Sequence, residues 1–456
     1  MPEADLYGLR LTGASSAVAA YNRGVGHLLR LRSGSVEAIA SSVALDPTFA
    51  LGHAALALLG HEFCAPVDIE ARLRDARLHA SRSSERERSH VYAVDAHLAG
   101  DSRPLIAHLA AHPRDALLLS TAVPTIAFAG VTSVPAEAWA IVEGAAPAYG
   151  DNWWFQGLLA FVRQEQHRFD EAMELSCRSL GQEPGAGHSA HARTHAHYET
   201  ADHVGGLAWI DGWITGDGAS IDSVLHFSWH AALHELSLGD LDAVRRRYTD
   251  QLRPGLGQGC RGLVDVGSLL WRWQLTPDAQ DVPTMASIRD QFDDQSLLRP
   301  ATAFMALHAA VALLALEDHD ALGRLRDWAT GHPDPVQSGV VAPLAGALAS
   351  MASGHCSSAA DQLERLTADA WRLGGSDAQR EVIEETRIHA LLRAGRYGAA
   401  RDLLDRRLDR RRCQRDVRWR AVASSGLGDL VPVDGDRDLG QGVDRPGIAP
   451  TGPGDI

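Results

Sequence analysis

Four stretches of this chain share one spacing, and that spacing limits what the chain can fold into. His167-Arg168-Phe169-Asp170-Glu171-Ala172 has a turn residue, an aromatic two positions later and a small residue five later. Gly395-Arg396-Tyr397-Gly398-Ala399-Ala400 repeats it. Gly239-Asp240-Leu241-Asp242-Ala243-Val244 and Gly354-His355-Cys356-Ser357-Ser358-Ala359 are looser copies. In the first copy Ala160 lies twelve positions before Ala172, and Pro184 twelve after it. This is the register of a tetratricopeptide repeat, with small residues where two helices touch, an aromatic filling the next gap and a proline ending the second helix. One such hairpin cannot bury its apolar face alone, so neighbours must stack. The expectation is an all-α fold, a right-handed superhelix of helix hairpins. No stretch alternates strictly between apolar and polar residues, so strands are not expected.

Helical signals run along most of the chain. Apolar positions from 17 to 44 have helical spacing, broken near Gly34. Pro47 separates them from another helical start at Phe49. Ser84 and Glu87 have the form of a capping box, in which each side chain satisfies a free amide at a helix start. That helix stops at Gly100, and further segments cover 136–142 and 153–162. Gly375 suits a helix stop, and Ser376 with Gln379 suits a second capping box. The organisation expected is an N-terminal segment at 1–14, one helical body at 15–425 and a disordered tail at 426–456, where Gly, Pro and Asp dominate.

Composition removes several function classes. With 43 basic and 58 acidic residues the net charge is −15, which suits no nucleic acid, because phosphate neutralisation needs clustered cations. Every basic residue is arginine. A lysine Schiff base to pyridoxal phosphate is therefore excluded, as is a P-loop nucleotide site ending in Gly-Lys. The five cysteines are scattered, with no Cys-x-x-Cys, and read as reduced. The N-terminus has no basic segment leading into an apolar run, and the longest apolar stretch, at 303–316, is too short to span a bilayer. A cytoplasmic location without a membrane partner is expected.

The chemistry-bearing residues concentrate in one hairpin, 187–235. Seven histidines fall in two windows, His188, His191, His195 and His197 in the first, and His226, His230 and His234 in the second. Residues three or four apart share a helix face. His188, His191, His195 and Glu199 then form one stripe and His226, His230 and His234 another, and the two can meet in one pocket. Three readings follow. The rings pack between helices and do nothing else. Or His191, His195, His226 and His230 ligate a divalent transition metal, for which imidazole with carboxylate suits zinc, iron, nickel or copper. Or the pocket takes a small molecule or peptide without metal. There His195 or His230 would act as general base and Glu199 would orient it, while Arg193 or Arg380 held an anion. Tyr198, Trp229 and His234 would line such a pocket, and Gln379 would reach it as an alternative to capping. The cofactor stays open between a metal and none, and a homodimer also stays open. No His-Glu-x-x-His is present, so a zincin protease is not indicated.

These residues also resemble the tetratricopeptide repeat protein 38-like family. The resemblance rests on four anchors in order: Asp46-Pro47-Thr48-Phe49 with Gly52-His53-Ala54; Arg86-Glu87-Arg88 with His90-Val91; His191-x-x-x-His195-x-His197 followed by His226-x-x-Trp229-His230; and Leu373-Gly374-Gly375-Ser376 with Ala378-Gln379-Arg380 and His389-Ala390. They span roughly 40–405, most of the chain. The resemblance implies an all-helical repeat solenoid and no particular reaction. The chain departs from the family pattern where Tyr198 stands between His197 and the acid Glu199, and His188 and His234 are additions to it.

Overall fold

The computed structural model describes residues 3–63, 65–125, 130–132, 134–219, 224–254 and 261–427. Within these, twenty-four α-helices follow one another, with π-helical turns at Tyr248–Leu252, Gly262–Gly267 and Gln337–Val341. No strand forms among the described residues beyond an isolated bridge between Ala4 and Arg10. The expected tail lies outside the described residues from 428 onward; the last helix, Gln414–Gly426, fills the end of the expected body.

The shared six-residue spacing has a backbone cause. His167, Gly239, Gly354 and Gly395 all sit at positive φ, between 58° and 81°. In each case a helix begins two residues later, at Phe169, Leu241, Cys356 or Tyr397. The small residue five later is fully buried in every copy: Ala172, Val244, Ala359 and Ala400. Two further copies carry no sequence mark. Ala201 (φ 61°) precedes the helix His203–Thr215, and Glu317 (φ 56°) precedes His319–Thr330. A left-handed turn on Ala or Glu is strained, and only the surrounding packing holds it. Both expected capping boxes form, at Ser84 with Glu87 and at Ser376 with Gln379.

Successive helices pack in pairs, and Trp153–Glu165 packs on both Phe169–Gln182 and Gly187–Glu199. The chain also closes on itself. Gln414–Gly426 packs on Val224–Leu238, and Ser268–Leu275 on Asp377–Arg393. Arg30 reaches Glu183 at 2.6 Å, and its carbonyl accepts from Gly187 N–H at 3.3 Å. A Cβ on Gly187 would lie 2.6 Å from that carbonyl, so only glycine allows the approach.

Two apolar cores result, one built mainly from residues before about 215 and one from residues after about 225. The helix Val224–Leu238 belongs to both. Phe227 and Ala231 enter the first core, while Trp229, Ala232, Leu233 and Leu236 enter the second.

The runs Arg245-Arg246-Arg247 and Arg406 to Arg412, which by charge alone would be expected to be solvated faces, are partly interior. Arg407, Arg411 and Arg415 are buried, as is Arg247. Arg407 bonds Asp416 at 2.8 Å and Glu381 at 3.1 Å, Arg415 pairs with Glu385, and Arg247 bonds Glu235 at 2.7 Å. Buried guanidinium ions require such partners. No described helix is long and apolar enough to cross a membrane, and the described cysteines Cys177, Cys356 and Cys413 are free.

Candidate metal centre

Gly187–Glu199 and Val224–Leu238 are the two histidine helices, and they meet at the seam between the cores. His191 and His195 lie one turn apart on the first, His226 and His230 one turn apart on the second. Their rings converge, with centroids 4.6 Å apart for His191–His195, His195–His230 and, to 0.1 Å, His226–His230 (4.7 Å). The Nε2 atoms all point inward. His195 to His191 is 3.0 Å, His191 to His226 is 3.1 Å and His226 to His230 is 3.2 Å. All four side chains are buried. Ligand atoms of His191, His195 and His230 lie within 4.8 Å of one another, a grouping able to hold a metal ion.

Protons alone cannot satisfy this cluster. A neutral imidazole nitrogen either carries one in-plane N–H or one lone pair. The Nδ1 of His226 lies 3.0 Å from the buried carboxylate of Asp265, so it donates there and leaves the Nε2 of His226 as a lone pair. The Nε2 of His191 faces two neighbours at once with a single hydrogen or a single lone pair to offer. The Nδ1 atoms of His191, His195 and His230 have no hydrogen-bond partner among the described residues.

Every ring is neutral near pH 7. Burial pushes the His195 imidazole down to about 3, helped by the neighbouring His226 and Arg380. Burial, then the adjacent imidazoles, put His191 and His230 well below the usual histidine range. Burial also lowers His226, although Asp265 opposes it. Burial works to raise the Asp265 carboxyl, yet His226 and Arg261 hold it below the ordinary range, so it is ionised. Neutral imidazoles beside an ionised carboxylate are the protonation states that metal ligation needs.

Aromatic rings wall the cluster. Phe161 stacks on His191 at 5.4 Å and meets His195 edge-on at 6.0 Å. Trp229 stacks on His226 at 5.4 Å and donates its Nε1–H to Ser268 Oγ at 3.1 Å.

The other residues expected at the site lie elsewhere. Glu199 pairs with Arg411 at 2.7 Å, which takes the acid expected to orient His195 into the C-terminal ionic network. Tyr198 donates to Glu381 at 2.8 Å and lies under the Arg411 guanidinium. Arg193 is two residues from both His191 and His195, hence on the far side of its helix, and covers Trp209 at 4.3 Å. His234 leaves the stripe and meets His203, Nδ1 to Nδ1, at 3.1 Å. Gln379 is engaged in its capping box, accepting from Ser376 N–H at 3.0 Å. Arg380 donates to the carbonyls of Gly374 and Gly375 and stands 3.9 Å from Glu165. His188 is buried, its Nε2 without a hydrogen-bond partner among the described residues, and burial pushes it to about 4.

Sequence reasoning missed Phe161, Asp265 and Ser268. Asp265 carried a signal, since a lone carboxylate inside Leu263-Val264-Asp265-Val266 has to be paired if that segment is buried. A second buried group, His90, His108 and Asp115, has a different character. Asp115 Oδ2 takes His90 at 2.7 Å, His108 at 3.2 Å and Arg86 at 3.3 Å, and Asp115 caps the helix Ala116–Leu119. The arginine already neutralises this carboxylate, so the group reads as a structural bridge. A comparison with known protein families finds none that matches the chain.

Proposed function

We propose that the chain is a tetratricopeptide-like helical repeat protein whose interior holds one divalent transition-metal ion between the two histidine helices. The left-handed turn residues at regular helix starts and the packing of Trp153–Glu165 on the next hairpin support the repeat architecture. One observation carries the metal reading: the ligand atoms of His191, His195 and His230 lie within 4.8 Å of one another, and the Nε2 of His226 stands beside them, 3.1 Å from that of His191 and 3.2 Å from that of His230. Four nitrogens at about 2.0–2.1 Å from one ion would be about 2.9 Å apart at right angles and about 3.4 Å apart at tetrahedral angles. The three contacts along the row His195, His191, His226, His230, at 3.0, 3.1 and 3.2 Å, fall between these edges. Nε2 atoms in mutual contact at 3.0–3.2 Å have the spacing of nitrogens around one ion, so His191, His195, His226 and His230 serve best as ligands. A base at about 3 is largely unable to take protons at pH 7, which weighs against metal-free general-base catalysis by His195.

The test is elemental analysis of protein purified without a histidine tag, after dialysis against zinc, cobalt or nickel. About one ion per chain is expected, falling to near zero in His191→Ala and His230→Ala variants whose circular dichroism stays that of wild type. Wild-type protein that retains no ion above a buffer control refutes the reading.

A further inference from the structure

Among the described residues, only one of the four rings is held from behind. His226 has Asp265 on its Nδ1 at 3.0 Å, while the Nδ1 atoms of the other three have no hydrogen-bond partner among the described residues. Asp265 is itself fully buried, and its second oxygen stands 3.6 Å from Arg261, one turn earlier. It is carried by the π-helical turn Gly262–Gly267, which packs against both Val224–Leu238 and Ala303–Ala315. A π-turn contains one residue more than an α-turn, which rotates side chains on it by about 100° relative to the regular helix that follows. Without that extra residue the carboxylate would leave the line to His226. Gly262 and Gly267 begin and end the turn.

We propose that Asp265 is a positioning residue for this centre. It fixes His226 as the tautomer protonated on Nδ1, and so makes His226 the one ligand whose lone pair is aimed before the ion arrives. The inference rests on the metal reading above. An ionised carboxylate can only accept, so the Nδ1 proton of His226 is held and the Nε2 is committed to ligation. The carboxylate also makes the ring a stronger donor, an outer-shell effect that typically changes metal affinity 10–100-fold. Among the described residues His191, His195 and His230 have no such support, so their rings would be oriented only by the ion they hold.

Cobalt(II) titration followed by its visible absorption tests this on the full chain. Asp265→Ala is expected to weaken cobalt binding about 10–100-fold and to shift the absorption bands. Asp265→Asn keeps an acceptor oxygen and is expected to retain the wild-type band positions with a smaller loss. If wild type binds cobalt and Asp265→Ala binds it equally with an unchanged spectrum, the positioning role is overturned and the metal reading stands. If wild type binds no cobalt, both fail. Should Asp265→Ala not fold, nitrogen-15 spectra of histidine-labelled wild type decide. The resonance pair lost in His226→Gln must show Nδ1 protonated in the metal-free protein, and a proton on Nε2 overturns the proposal.

Discussion

Replacing His230 by leucine should change stability in opposite directions with and without metal. In the metal-free protein, the ring of His230 is buried, its Nδ1 without a partner among the described residues and its Nε2 3.2 Å from that of His226. Leucine removes one ordinary hydrogen bond, a loss of about 1 kcal/mol, and one unsatisfied buried nitrogen, a gain of about 1–3 kcal/mol. The rings of His195 and Trp229, with centroids 4.6 Å and 4.7 Å away, offer an apolar side chain of similar size good packing. In chelator the variant is therefore expected to match wild type or exceed it by up to about 2 kcal/mol. A ligand that binds only the folded state at a hundredfold excess over its Kd stabilises it by about 2.7 kcal/mol. Wild type gains that amount in zinc, and the variant, short of a ligand, gains much less. The order of stabilities then reverses. Guanidinium unfolding at pH 7.5, followed by circular dichroism in EDTA and in zinc, reads both halves. A variant about 2 kcal/mol or more below wild type in EDTA, or equal stabilisation of both proteins by zinc, would falsify the argument, because the histidines would then be structural.

Three further expectations follow from other parts of the molecule. His203, held by burial at about 4, and His308, held by burial at about 3, take up protons more readily when unfolded, where the ordinary value is 6.5. The stability they contribute is present above pH 6.5 and is lost as pH falls toward 4, on the order of 3 kcal/mol each. A denaturation midpoint that stays flat between pH 7 and 4.5 contradicts this. Glu317→Gly relieves a left-handed φ of 56° and should stabilise by about 0.5–1 kcal/mol, whereas unchanged or lower stability would mean the turn is not strained. Arg411→Met takes the arginine from Glu199 and one of the two buried arginines from Glu381, which keeps Arg407 at 3.1 Å, and should cost about 3 kcal/mol. Arg410→Ala, on an exposed side chain, should stay within about 0.5 kcal/mol, and equal losses in the two would deny the burial difference.

The helical class was legible because turn chemistry and capping are local. Gly239, Gly354 and Gly395 announce a left-handed turn by residue type, and Ser84 with Glu87 announces a helix start by spacing. Ala201 and Glu317 occupy the same backbone state with no mark in the sequence, because there the tertiary packing imposes it. The four converging histidines were legible for the same reason, as pairs one turn apart on neighbouring helices. Their surroundings were not. Asp265 comes from a segment 39 residues beyond His226, and the partner that draws Glu199 away, Arg411, lies 212 residues further on. The arginine run near the C-terminus looks like a solvated face when read alone. Only the closing of Gln414–Gly426 onto Val224–Leu238 buries its neighbours, and no local spacing reveals that a chain folds back on itself.

That Val224–Leu238 serves two cores has a consequence for how the molecule can be divided. A fragment ending before Val224 would lack Phe227 and Ala231, leaving a hole in the first apolar mass. A fragment starting after Glu199 would keep the second mass nearly whole but would carry His226 and His230 with nothing opposite them. Neither piece is a self-sufficient unit. An ion bridging the two helices would act as a rivet through the joint, so that losing it loosens both halves together.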